Sequence, residues 1–195
     1  MYLEQYDFRT NTWTSLPAKL SDSSSTVLML RNRAFHSATL APNGKIYITG
    51  GESVGYINDD IDLWEYDPEV GEFSPMQNTQ VFSPYKITHS SQSAVALLDG
   101  RILYIMDFSN YIRVFDTNSN QVFDQEVQGY DKFYGGGNRP FNSSVSDYPN
   151  IRQGGSPVLA PNPRYIYVYG GSLQIDHIFQ EIAHDIIILD IEMWT

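Results

Sequence analysis

The sequence predicts an all-β chain assembled from repeated four-stranded sheets, and three observations carry that expectation. First, its 195 residues contain runs of four to seven that are rich in Ile, Tyr and Val and bounded by Gly, Pro, Asn and Asp, the pattern of short strands between tight turns. Second, no segment sustains a helical period between caps. The nearest approach is "QIDHIFQEIAHDI" (174–186), with Ile175, Ile178, Phe179 and Ile182 at helical spacing; a short helical turn or an irregular loop is expected there. Third, the chain repeats itself. "HSATLAPNGKIYITGG" (36–51) falls without a gap on "QSAVALLDGRILYIMD" (92–107), and "GSPVLAPNPRYIYVYGG" (155–171) is a third copy with one extra residue at its turn.

A second element recurs beside these copies: an apolar residue and Asp, a polar turn, then an aromatic, four times with the last incomplete. It occurs in "LEQYDFRTNTW", "DLWEYDPEVGEF", "YIRVFDTNSNQVF" and "DIIILDIEMWT". In the first two, Tyr6 and Trp13, like Tyr66 and Phe73, stand seven apart. One repeat thus holds four strands, placed around Gly50 at roughly 35–41, 45–50, 61–66 and 71–76 by their bounding turn residues. The first-to-second and third-to-fourth connections are tight ("PNG", "LDG", "PNP", "PEVG", "TNSN"); the others are mostly long. Turns of an up-and-down sheet alternate between its ends, so the long connections are expected at one end and the tight turns at the other.

Composition narrows the class. Hydrophobic residues make up 42% and aromatics 14% of the chain, with a net charge of −11. The first two fit a globular β protein; the third disfavours nucleic acid and anionic membranes as partners. The chain has no cysteine, which excludes disulfides, thiolate metal sites and a cysteine nucleophile. Apolar runs such as "DIIILDI" are too short to span a bilayer, and "MYLEQYDF" has neither the basic head nor the apolar middle of a signal peptide. Both cytoplasmic and extracellular locations stay open.

The four-stranded unit, the Gly-Gly closing its second strand, Tyr-Asp with an aromatic seven residues after the Tyr, and Arg33-x-x-His36 before the first strand together resemble the kelch repeat. "RAFHSATLAPNGKIYITGG" and "DLWEYDPEVGEF" carry the likeness best, while Met106-Asp107 replaces the glycine pair in the second repeat and Gly155 stands where His36 would in the third. The resemblance implies blades of a β-propeller, a galactose-oxidase-like fold. Residues 1–17 would supply the outer strands of one blade, 33–76 and 89–124 two full blades, and 152–195 an incomplete one. Such a set does not close a ring. A fragment of a larger propeller is expected, or a chain that completes its ring with another.

The glycine pairs are expected to serve positive φ and close packing rather than a ligand, since neither lies in a phosphate-binding motif. Tyr6, Trp13, Tyr66, Phe73 and Phe115 are expected to pack between neighbouring blades, and His36 to satisfy backbone groups beside Arg33. His177 and His184, with Asp176, Glu181 and Asp185, match no metal-ligand spacing, so no metal and no cofactor is expected. No nucleophile elbow is present. The copper radical oxidases among kelch-like propellers need a cysteine that this chain lacks. Function is expected instead in the long connections 21–33, 52–60, 76–91, 124–154 and 172–185. Arg33, Tyr56, Tyr85, His89, Tyr130, Tyr134, Arg139, Phe141, Tyr148 and Arg152 are the candidate anchors for a protein partner. The resemblance implies a non-catalytic scaffold. The alternatives are part of a propeller enzyme, oxidase-like or sugar-isomerising, with catalytic residues outside this chain, or a glycan-binding propeller, for which Tyr- and Asn-rich loops are suited.

Overall fold

In a computed structural model, residues 2–17, 19–20, 36–50, 63–76, 93–105, 111–128, 151–153, 155–176, 179–182 and 186–195 are described. Among them there are strands, turns and no helix. β1 (Tyr2–Asp7) and β2 (Thr12–Pro17) form a separate hairpin. The first large sheet contains β3 (Lys19–Leu20), β4 (Ser37–Leu40), β5 (Ile46–Thr49), β6 (Leu63–Asp67) and β7 (Glu72–Pro75), in the order β3-β7-β6-β5-β4. Its neighbours are antiparallel except β3, which joins β7 in parallel. The second sheet is β8 (Ser93–Ala96), β9 (Arg101–Ile105), β10 (Tyr111–Asp116) and β11 (Gln121–Glu126), paired in chain order. The third joins β13 (Ser156–Leu159), β14 (Tyr165–Tyr169) and β17 (Ile186–Asp190). A small fourth sheet pairs β12 (Ile151–Gln153), β15 (Ser172–Asp176) and β16 (Phe179–Ile182). None of these sheets closes into a barrel.

The tight turns recur because the same side chains build them. Between the first two strands of each unit, Asn43, Asp99 and Asn162 each accept a hydrogen bond from the backbone N–H two residues on, at 3.1–3.2 Å. Such a side chain replaces a backbone acceptor and closes the turn. Between the last two strands the closing residue is Asp. Asp67 Oδ1 takes the N–H groups of Glu69 and Val70, Asp7 those of Arg9 and Thr10, and Asp190 those of Glu192 and Met193. Asp116 takes that of Asn118. Four residues after each Asp the chain is left-handed: Asn11 and Asn120 at φ 55°, Gly71 at 70°, Trp194 at 53°. Asn and Gly tolerate this region, whereas a bulky side chain is strained in it. Trp194 is held there by its N–H to Asp190 O at 2.7 Å, by packing on the apolar core and by the Arg101 guanidinium, 5.8 Å from its ring.

Strand alternation then assigns two faces to each sheet. On the second sheet Ile102, Tyr104 and Phe115 meet Ala41, Tyr47 and Leu63 of the first. Its opposite face carries Val95, Leu103, Ile105, Ile112 and Val114 against Ile166, Val168, Ile187 and Leu189 of the third. Covered on both faces, "RILYI" reads as a continuous apolar run rather than an alternation. The first sheet buries Trp64, Tyr66 and Phe73 on its far side, with Leu20, Ile46 and Ile48 around them.

Two expectations are corrected. The described residues of 174–186 are not helical: β15 runs to Asp176 and β16 spans Phe179–Ile182, paired with an irregular register between Gln174 and Asp176. Trp13 does not pack between sheets. It is 70% exposed, touching Tyr6 at a ring separation of 5.0 Å, because β1–β2 lies outside the large sheets. Tyr66, Phe73 and Phe115 are buried as expected.

Candidate binding face

Contacts between the two tight turns of a unit fix that they share an end of the sheet. Lys45, after the first turn of its unit, lies 2.5 Å from Glu65 and 4.0 Å from Asp67. Arg164 in the third unit reaches Asp190 at 2.5 Å and Glu192 at 2.9 Å. In the second unit Thr117 Oγ1 donates to Gly100 O at 2.8 Å. Both tight turns of each unit therefore sit at one end, and the other connections leave from the opposite end.

The tight-turn end carries polar groups paired with one another. Tyr47, 1% exposed, accepts from Asn43 Nδ2 at 3.0 Å and donates to Glu65 Oε2 at 2.9 Å. Its phenol is pushed up to about 12, first by burial and also by Glu65, against the opposing effect of the Asn43 hydrogen bond. Glu65 raises the Lys45 ammonium, mainly through their hydrogen bond. Arg164 lowers the Asp190 carboxyl in the same way. These charges are spent on each other and on turn backbone.

The first strands of the three units lie side by side: β8 lies against both β4 and β13. Ser37, Thr39, Thr49 and Ser93 are buried there. Ser93 donates its hydroxyl to the Gly155 carbonyl, tying the second sheet to the third; Ser37 and Thr39 hydroxyls lie 3.3 Å apart. Thr49 Oγ1 has no hydrogen-bond partner among the described residues. This hydroxyl row was not singled out from the sequence, although the aligned Ser37-Ala38 and Ser93-Ala94 carry its signal. Gly50 and Gly170 leave their strands at φ 66° and 70°. A Cβ at Gly170 would meet nothing within 4 Å, so conformation and not crowding requires glycine there. Close approach occurs instead at Gly155, whose Cβ would stand 2.9 Å from Val168 Cγ1.

A solved structure, that of YjhT, matches the whole chain. Its TM-score is 0.60 at 14% identity, and the match spans 61% of the YjhT chain. The two share a fold. No protein-family model and no curated protein matches.

Of the candidate anchors, Arg33, Tyr56, Tyr85, His89, Tyr130, Tyr134, Arg139, Phe141 and Tyr148 lie outside the described residues. Arg152 lies in β12, paired with Leu173. His177 and His184 are outside as well; His36, exposed ahead of β4, is the one histidine described. Among the described residues no three His, Asp or Glu side chains converge as a metal site would require, and no helix is long and apolar enough to cross a membrane.

Proposed function

We propose that the chain is part of a kelch-type β-propeller that acts as a non-catalytic protein-binding scaffold. The carrying observation is the segregation of connections. Both tight turns of each unit are locked at one end by Asp, Asn and ion-pair contacts, and the strand ends that the long connections join lie at the other. Stacked sheets with buried faces give those connections a rigid base, and rigid scaffolds with variable loops are a common design for recognition. The likeness to YjhT supports the fold part of this reading; the length of the connections supports the binding part. The partner is a protein met by aromatic and Arg side chains, the types that dominate binding energy at interfaces.

The test is a paired substitution. One variant replaces Tyr130, Tyr134, Arg139, Phe141 and Tyr148 by Ala; a control replaces Glu69 and Ser119, exposed at the tight-turn end. Both are used as bait beside the unaltered chain. The proteins captured by the unaltered chain should be lost with the first variant and retained with the second, at equal circular dichroism. Capture unchanged by the loop variant, or lost equally with both, rejects the reading.

A further inference from the structure

Asn43 is the one asparagine of the chain that is followed by glycine. Glycine has no Cβ, so its backbone nitrogen can approach the preceding side-chain amide more freely than that of any other residue. The turn is exposed, and a Cβ at Gly44 would meet nothing within 4 Å. Asn43 Oδ1 accepts the Lys45 N–H at 3.1 Å, which draws electrons from Cγ. The Gly44 N–H is held by Ala41 O at 3.0 Å, a contact that local opening of an exposed turn releases.

The equivalent turns are closed to the same chemistry. In the second unit the pair is Asp99-Gly100. Its carboxylate is held by Arg101 Nε at 2.9 Å and Nη2 at 2.7 Å. Its backbone is clamped as well: Thr117 N and Oγ1 both donate to Gly100 O, and Asn118 Nδ2 donates to Asp99 O at 2.9 Å. A Cβ on Gly100 would fall 2.6 Å from Asn118 Nδ2. In the third unit Pro163 follows Asn162 and offers no N–H.

We propose that Asn43 is a site of self-modification, in which the Gly44 nitrogen attacks Asn43 Cγ. The N–Cγ bond forms, the Cγ–Nδ2 bond breaks, and ammonia leaves with the proton of the Gly44 amide. Water then opens the cyclic imide at either carbonyl, giving aspartate or isoaspartate. The product matters because of what Nδ2 holds. It donates to the Tyr47 hydroxyl at 3.0 Å, which donates in turn to Glu65 Oε2 at 2.9 Å. Tyr47 is buried in the cluster that joins the first and second sheets, its ring 5.3 Å from that of Phe115. A carboxylate at position 43 replaces this donor by a second acceptor, so one Tyr47 proton faces two carboxylates. Lys45 does not relieve the conflict, being already engaged by Glu65 at 2.5 Å with Asp67 at 4.0 Å. Conversion therefore loosens the first sheet from the second and adds one negative charge to the net −11.

The test is ageing of the folded 195-residue chain at mildly alkaline pH, followed by peptide mass mapping. Residue 43 should gain one mass unit and appear in both aspartate and isoaspartate linkages, while the linkage at residue 99 stays intact. Asp99→Asn places the same dipeptide in the clamped turn, and position 99 should then convert several-fold more slowly than position 43 of the same molecule. Asn43→Asp should lower the thermal midpoint by several degrees, and the converted fraction of the aged chain, separated by anion exchange, should show the same loss. An unmodified Asn43 in a folded sample whose urea-unfolded counterpart has converted overturns the proposal. So do equal rates at 43 and 99 in Asp99→Asn, or an Asn43→Asp variant as stable as the unaltered chain.

Discussion

Phe73→Ala and Trp13→Ala should differ several-fold in cost, although the two residues hold the same place in the repeat. Each stands opposite a Tyr across a hairpin: Tyr66 pairs with Phe73 and Tyr6 with Trp13 in the same register relative to the turn Asp. Ring separations are 4.4 and 5.0 Å. Burial separates them. Phe73 is 3% exposed within a cluster with Trp64 and Leu20, so truncation removes transfer energy and leaves a cavity, about 3–5 kcal/mol. Trp13 is 70% exposed, so truncation removes mainly the ring pair, about 0.5–1.5 kcal/mol. With a urea slope of about 2 kcal/mol/M, the Phe73 variant should lose roughly 1.5–2.5 M in midpoint and the Trp13 variant less than about 0.8 M, slopes unchanged. Urea titration followed by far-ultraviolet circular dichroism decides. Equal midpoint losses would refute the reasoning, because they would mean that repeat position and not burial sets the energy.

Thr49→Val should leave stability unchanged or raise it by up to about 1–3 kcal/mol, because the Thr49 hydroxyl is fully buried with no hydrogen-bond partner among the described residues and Val fills the same volume; thermal unfolding reads it, and a loss of stability counts against an unsatisfied hydroxyl. Tyr47 holds its proton up to about 12 in the fold, against about 10 in an unfolded chain. Its contribution is therefore complete below about pH 10 and is lost as pH rises through 12; phenolate absorbance should show at least one tyrosine titrating only with alkaline unfolding, and Tyr47→Phe should lessen the alkaline loss of stability. Asp116 is lowered below its usual range, mainly by the Asn118 backbone N–H and also by Ser119. That stabilisation is present above the unfolded value near 3.8 and fades as pH falls through the lower folded value, so Asp116→Asn should flatten the acid limb of a stability–pH curve.

Much of the fold was legible because the chain states it three times. A single "NGKIYITGG" is an ambiguous strand; its alignment with 92–107 and 155–171 fixes strand order, turn positions and the end at which each connection leaves. The turn Asp and Asn residues act within four residues of sequence, and such local chemistry survives any tertiary context. Burial does not. Period-two alternation marks one face of a strand as apolar but says nothing of what lies against it, so Tyr6–Trp13 and Tyr66–Phe73 read alike until the neighbours are placed. The 174–186 segment failed for a related reason. The spacing of a few apolar residues does not by itself tell a turn of helix from two short paired strands.

The same limit explains the third sheet. Val158, Tyr167, Tyr169, Ile186 and Ile188 are patterned for burial as fully as their equivalents in the second sheet, and the sequence carries no mark that they are open. Exposure depends on what lies against the sheet, which residue type does not encode. A face whose side chains are those of a core, kept at 37–60% exposure, favours burial against another apolar surface. Recognition through the long connections, by contrast, depends on a few anchors among polar residues, where sequence gives composition and no geometry.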